Sequence, residues 1–357
     1  MRAHLTRVLT FALIGCLVAL ALLVSDRYLP ALPNEPAKLP PAVVTLGDST
    51  LSGEGAGHYV PGTDGQGGNW CHRSPQAVVD QIPLPPGVTP INIACSGAKA
   101  TDIGTPNGRE QAQAQQLVEI ARHYRITAVV VQLGANDDPG FTDLVNRCVG
   151  AWGSRVPGGC SQQLRDQWPR RLERMRPKVL AAQQQVRTAM NNAGYTPAGY
   201  QLVLQSYAAP VGPGVAPQLQ NLSGCPFQNV DLQWIQRSAV PQLSQALHQV
   251  AEQSGARFLD LSQAGRGHGA CSGGNAHPDQ EWFTRLTVDW DSLGDDARAQ
   301  HAMQASFHPN ARGAAEFARC LGEFLASTGP EAACEPDGGG HLRLATDTAA
   351  ARSGPPR

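Results

Sequence analysis

Along this chain, short β-branched apolar runs that close on small-residue turns are separated by longer stretches with helical spacing. The first run, Ala42-Val43-Val44-Thr45-Leu46, breaks at Gly47 and gives way to Asp48-Ser49-Thr50-Leu51-Ser52-Gly53-Glu54-Gly55. The second, at 91–94, ends in Cys95-Ser96-Gly97-Ala98, and the third, at 126–133, ends in Gly134-Ala135-Asn136-Asp137-Asp138. Runs at 200–207 and 256–261 complete a set of about five predicted strands. Ser74-Pro75, a capping residue followed by proline at the first helical position, opens a short helix through residue 82. Longer helices are predicted over 110–124, 161–192, 230–254 and 310–326, with Pro169 and Pro177 expected to kink or divide the second of these. Strand alternating with helix predicts an α/β domain over 42–335 whose central parallel sheet is covered on both faces. Ligands bind such a sheet at the carboxyl edge of its strands, where the three turns would lie.

The flanks differ in composition. Residues 8–24 are apolar except for Thr10 and Gly15 and follow Arg2, His4 and Arg7, the layout of a signal peptide or an N-terminal transmembrane anchor within 1–27. Ser25-Asp26-Arg27-Tyr28 lacks a small-x-small cleavage pattern, which favours an uncleaved anchor. Residues 28–41 contain five prolines and are expected to form an extended linker, while 336–357, rich first in glycine and then in alanine, threonine and proline, are expected to be a disordered tail. Residues 53–69, glycine-rich and polar, fit either a wall of the site or a surface loop.

Composition narrows the function. A net charge of -1 and pI near 6.8 give no electrostatic support for nucleic-acid binding. Export implies an oxidising compartment, and without Cys16 eight cysteines remain: Cys71, Cys95, Cys148, Cys160, Cys225, Cys271, Cys320 and Cys334. None has the spacing of a metal site, so four disulfides are expected, with their connectivity open. G-x-S-x-G, H-E-x-x-H, Walker A and G-x-G-x-x-G patterns are absent from the sequence.

Gly47, Asp48 and Ser49, with Gly53 four residues after the serine, resemble the first motif of the SGNH/GDSL hydrolases, secreted actinobacterial-type esterases and lipases among them. Gly97, after the second strand, matches their second motif, and Gly134-Ala135-Asn136-Asp137 matches their Gly-x-Asn-Asp. Ser306-Phe307-His308-Pro309-Asn310 is similar to their last motif, in which His-Pro-Asn opens the C-terminal helix. The resemblance implies a flavodoxin-like α/β/α fold and ester hydrolysis through an acyl-enzyme. Ser49 would be the nucleophile and His308 the general base. The oxyanion hole would be built from the Ser49 and Gly97 N–H groups and the Asn136 amide. His277, before Pro278 and Asp279, is a rival base without a following helix.

One position departs from the family: Ala305 stands where an aspartate three residues before the histidine is usual. Some secreted relatives orient the histidine through a backbone carbonyl, and the Ala305 or Ser306 carbonyl is the preferred acceptor here, with Asp289 and Asp291 as side-chain alternatives. The resemblance also implies bridges between neighbouring cysteines: Cys71–Cys95, Cys148–Cys160, Cys225–Cys271 and, by remainder, Cys320–Cys334. The expected partner is a small-molecule, lipid or glycan ester met by a monomer, with no cofactor and no metal. Two further readings stay open: an O-deacetylase or acyltransferase on cell-envelope glycans, and a non-catalytic glycan- or lipid-binding domain.

Overall fold

The computed structural model describes residues 38–108, 110–289 and 301–346; the expected signal or anchor at 1–27, Asp291 and residues 347–357 lie outside the described residues. Among the described residues, seven strands form one sheet: β1 (Pro41–Gly47), β2 (Thr89–Asn92), β3 (Arg125–Gln132), β4 (Gln201–Gln205), β5 (Arg257–Asp260), β6 (Glu331–Pro336) and β7 (Leu342–Ala345), in the order β2-β1-β3-β4-β5-β6-β7. All neighbours pair in parallel except β6 and β7. The continuous Val/Ile/Leu runs of β1 and β3 suit this setting, because a strand covered on both faces needs no polar alternation; Val44, Leu46, Val129, Val130 and Val131 have no exposed surface.

The helices are α1 (Ser49–Ser52), α2 (Val78–Gln81), α3 (Gln113–Ala121), α4 (Phe141–Gly153), α5 (Ser161–Asn192), α6 (Asn229–Trp234), α7 (Val240–Ser254) and α8 (Ala311–Ala326). α3, α5 and α7 pack side by side against the sheet, while α2 packs on α8. The chain leaves β1 for β2 in one direction and reaches β3 in the other. A crevice therefore opens beyond the carboxyl ends of these strands.

Two expectations are corrected. α5 runs as one helix through Pro169 and Pro177, so the prolines do not divide it. Each proline removes one backbone donor, but packing on α3 and α7 and a buried tertiary cap outweigh that loss: Asp231 accepts from the N–H groups of Cys160 and Ser161 at 3.2 and 2.8 Å. The sheet also has two strands more than the five expected, and β7 falls within the segment read as a disordered tail. Glu331-Ala332-Ala333-Cys334 lacks the β-branched run that marks a strand, and its pairing is imposed from outside. The Cys320–Cys334 bridge ties β6 to α8, and Glu316 of α8 accepts from the Leu342 N–H (2.9 Å) and pairs with the His341 ring (2.7 Å).

The other bridges join Cys71 to Cys95, Cys148 to Cys160 and Cys225 to Cys271. Replacing Cys320 and Cys334 together by serine should lower unfolding stability by about 2–5 kcal/mol and leave turnover near wild type, since this bridge lies at the sheet edge opposite β1 and β2. Parallel urea melts and rate measurements test both halves; an unchanged melt would mean the edge is held without the bridge.

Candidate active site

β1 ends at Gly47 with φ +134, and a Cβ there would lie 2.1 Å from the Gln132 carbonyl oxygen, so this close approach to β3 requires glycine. The Gln113 side chain clamps the same residue, accepting from its N–H at 2.7 Å and donating to its carbonyl at 2.9 Å. Asp48 then caps α1 by accepting from the Thr50 N–H, and its other oxygen accepts a very short hydrogen bond from the Tyr207 hydroxyl. The chain so held presents Ser49 at the first position of α1.

Ser49 Oγ lies 2.8 Å from His308 Nε2, and His308 Nδ1 lies 3.1 Å from the Ser306 carbonyl oxygen. A carbonyl can only accept, so Nδ1 carries the ring hydrogen and Nε2 offers its lone pair to the serine O–H. The Phe141 ring meets the imidazole edge-on at 5.3 Å. Behind His308, Thr284 fixes the backbone: its N–H donates to the His308 carbonyl at 2.9 Å, and its Oγ1 accepts from the His308 N–H at 3.2 Å. Asn310 caps α8 by accepting from the Gly313 N–H at 2.9 Å and donates to the Glu281 carbonyl at 2.7 Å.

Gly97 and Asn136 line one polar cleft with Ser49 and His308. The Asn136 amide is aimed by a 3.2 Å bond to the Ala98 carbonyl, and the Ser49 and Gly97 N–H groups donate to no other group among the described residues. Of the two carbonyls expected behind the histidine, that of Ser306 faces Nδ1; that of Ala305 accepts instead from Thr284 Oγ1 and the His308 N–H. Asp289 is exposed, with its N–H bonded to the Ala302 carbonyl, and is not the group on Nδ1. His277 is exposed on a loop and lines neither side of the site.

An apolar cavity of about 120 Å³ adjoins the pair on the other side. Leu144, Val145, Trp168, Trp234, Leu243 and Phe317 are among its walls, with Ser49 and His308 at its rim. Burial acts on both charged neighbours. It pushes the Asp48 carboxyl up to about 7 against the lowering effect of the Tyr207 and Thr50 donors. It also pushes the His308 imidazole below its ordinary value, although the nearby Glu54 charge and the Ser306 and Gln304 carbonyls pull the other way. Glu54, Tyr207, His72, Gln304 and the cavity walls were not singled out from the sequence; the signal for Glu54 was a carboxylate between two glycines immediately after the serine motif.

Ser49, Gly97, Asn136 and His308, one from each of the four motifs in their order along the chain, line one cleft, and the GDSL-like Lipase/Acylhydrolase family model aligns with residues 45–316. The chain belongs to this family. Its fold is similar to that of phospholipase A1 from Streptomyces albidoflavus NA297, with 21% identity over 80% of this chain and 97% of that one and a TM-score of 0.52. An extracellular lipase from Streptomyces rimosus aligns at 21% identity over 76% and 94% with a TM-score of 0.46. A carbohydrate acetylesterase from Sinorhizobium meliloti aligns at 12% over 80% and 98% with a TM-score of 0.39. No curated protein sequence matches the chain. Membership makes it a carboxylic ester hydrolase of the GDSL type, and among the described residues no helix is long and apolar enough to cross a membrane.

The Asp48 carboxyl, raised from 3.8 to about 7, sets a pH dependence of stability. A raised carboxyl stabilises the fold below its unfolded value, and that contribution is lost as pH climbs towards the folded value. Asp48→Asn should therefore gain on wild type progressively between about pH 4 and 7, reaching on the order of a few kcal/mol above it. Urea melts at pH 4 and pH 8 measure this; an equal difference at both would show that folding does not raise the Asp48 carboxyl.

Proposed function

We propose that the chain is an exported serine hydrolase acting on esters of medium- and long-chain acyl groups, with Ser49 as nucleophile and His308 as general base. The observation that carries this reading is the 2.8 Å contact between Ser49 Oγ and His308 Nε2 at the rim of an apolar cavity. Ser49 Oγ attacks the ester carbonyl while its proton passes to Nε2, and the resulting oxyanion accepts from the Ser49 and Gly97 N–H groups and the Asn136 amide. Collapse expels the alcohol, which takes the proton from His308. Water then attacks the acyl-enzyme and gives its proton to the same nitrogen; collapse of this second intermediate releases the acid, and Nε2 returns the proton to Ser49 Oγ. Throughout, the Ser306 carbonyl holds the tautomer.

The acyl chain lies in the apolar cavity and the alcohol part in the polar cleft, where Thr142 and Asn146 offer hydrogen-bonding groups. An acetyl group would leave most of that cavity unfilled, which argues against a glycan deacetylase. A binding-only domain would have no use for a base within hydrogen-bond distance of a serine. Four disulfides support an oxidising, extracytoplasmic location.

Ser49→Ala and His308→Ala should each lower kcat by on the order of 10⁴-fold, while Asp289→Asn stays within about twofold because no carboxylate is needed on Nδ1. A collapse of the Asp289 variant, or failure of a fluorophosphonate to label Ser49, would overturn the assignment. In a series of p-nitrophenyl esters, kcat/KM should rise at least about tenfold from acetate to octanoate, since each buried methylene contributes roughly 0.8 kcal/mol. Fastest turnover of acetate would reject the acyl-cavity reading and favour a deacetylase.

A further inference from the structure

Glu54 has no exposed surface. Its Oε1 accepts from the Tyr59 hydroxyl at 2.9 Å, and its Oε2 from Ser96 Oγ at 2.6 Å and Gln304 Nε2 at 2.8 Å, while His72 Nδ1 lies 3.0 and 2.8 Å from the two oxygens. These donors come from three segments around the proposed site: Tyr59 and His72 from the loop after α1, Ser96 from the turn that presents Gly97, and Gln304 from the loop that presents His308. The next residue backs the histidine directly, because a Cβ on Gly55 would lie 3.0 Å from the His308 Cβ.

A buried carboxylate is costly unless its charge is used or compensated. Among the described residues no lysine or arginine pairs with Glu54; its ion-pair partner is the His72 ring, whose Nε2 lies 3.3 Å from Asp64 Oδ1. Burial opposes the charge, yet hydrogen bonding from His72 and Ser96 and attraction to His308 and His72 hold the carboxyl below its ordinary range, so it is ionised at neutral pH. His308 becomes an imidazolium in both halves of the proposed reaction, and the Ser306 carbonyl offers it a dipole but no charge. The aspartate that would supply one is replaced by Ala305.

We infer that Glu54 is a positioning residue for ester hydrolysis: an ionised carboxylate behind His308 that favours its imidazolium through space and, through Gln304, tethers the loop that carries it. This rests on the proposed Ser49–His308 chemistry. The tether continues outward, since Gln304 Oε1 meets His301 Nδ1 at 2.5 Å and the His301 ring stacks on Trp70 at 4.1 Å. A hub with only a structural role would need the hydrogen bonds but not the charge.

Glu54→Gln and Glu54→Asp separate the two roles. The titratable groups facing Glu54 and His308 are Tyr59, His72 with its neighbour Asp64, and His301 beyond Gln304; Asp48 lies behind Ser49. The ring titration of His308 is therefore followed by NMR beside the acid limb of kcat/KM. With the negative charge gone, the imidazolium is less favoured. In Glu54→Gln both the ring titration and the acid limb should move to lower pH by about one unit, a tenfold change in proton affinity, and kcat should fall about tenfold or more with KM nearly unchanged. Glu54→Asp, which keeps the charge, should restore most of both. A Glu54→Gln protein whose His308 titrates as in wild type overturns the inference, even if its kcat is low. Should Glu54→Gln not fold, Glu54→Asp decides: a wild-type His308 titration with most of kcat supports the inference, and a shifted titration, or failure of this variant to fold as well, makes Glu54 structural and overturns it. Absence of ester hydrolysis and of fluorophosphonate labelling in the wild type would instead defeat the underlying serine chemistry.

Discussion

Ser49 Oγ and His308 Nε2 stand 2.8 Å apart although 259 residues separate them in sequence. A serine hydroxyl is a weak nucleophile unless a base sits within hydrogen-bond distance, and a displacement of one ångström is enough to lose most of the benefit. The fold must therefore fix two distant chain segments against each other. On the serine side this is done where β1 touches β3: Gly47 approaches the Gln132 carbonyl too closely for any side chain, and Gln113 clamps its N–H and carbonyl. On the histidine side it is done by Thr284, which brackets the His308 backbone, and by Asn310, which starts α8 one residue after Pro309. Gly55 closes the gap between the two sides.

The same burial that fixes the geometry sets the electrostatics. Apolar walls suited to an acyl chain exclude water from Asp48 and His308 alike, which raises the acid and lowers the base. A lowered imidazole is neutral at neutral pH and ready to accept a proton. In the proposed reaction the difficulty comes afterwards, when it must carry a charge in a dry site. The Ser306 carbonyl and the Glu54 carboxylate both pull the imidazole upward against burial, so the base is placed between two opposing demands rather than tuned by one.

What the sequence made legible was local. Strands β1 to β5 announced themselves as apolar runs, and the turns carrying Ser49, Gly97 and Asn136 followed them because a strand-to-turn transition is written within a few neighbouring residues. His308 was legible for the same reason, as a histidine, proline and capping asparagine before an amphipathic helix. β6 and β7 were not, since their pairing comes from α8 and a disulfide rather than from their own residues. Nor was the Glu54 network: Tyr59, His72, Ser96 and Gln304 share no spacing in the chain and meet only once the sheet has brought three loops to one edge. Trp168 and Trp234 lie 66 positions apart in two separately predicted helices; their meeting edge-on at 5.6 Å in the cavity wall is a tertiary fact.

The strands hidden from the sequence bear on the chemistry through α8. His308 precedes this helix, so any rotation or slide of α8 moves the imidazole relative to Ser49. Phe317, Leu321 and Phe324 bury its inner face completely or nearly so, and Cys320 is bonded to β6. Glu316, one turn from the N-terminus, is held by the Leu342 N–H of β7. Apolar burial fixes how deep a helix sits but resists sliding along its axis only weakly, because ridges can slip past grooves by one turn. A covalent bond and a directional hydrogen bond to the sheet edge do not permit that slip. The edge strands thus brace the helix that presents His308 in two independent ways, so the Glu316–Leu342 hydrogen bond and the buried apolar face keep the proposed base aligned when the bridge alone is removed.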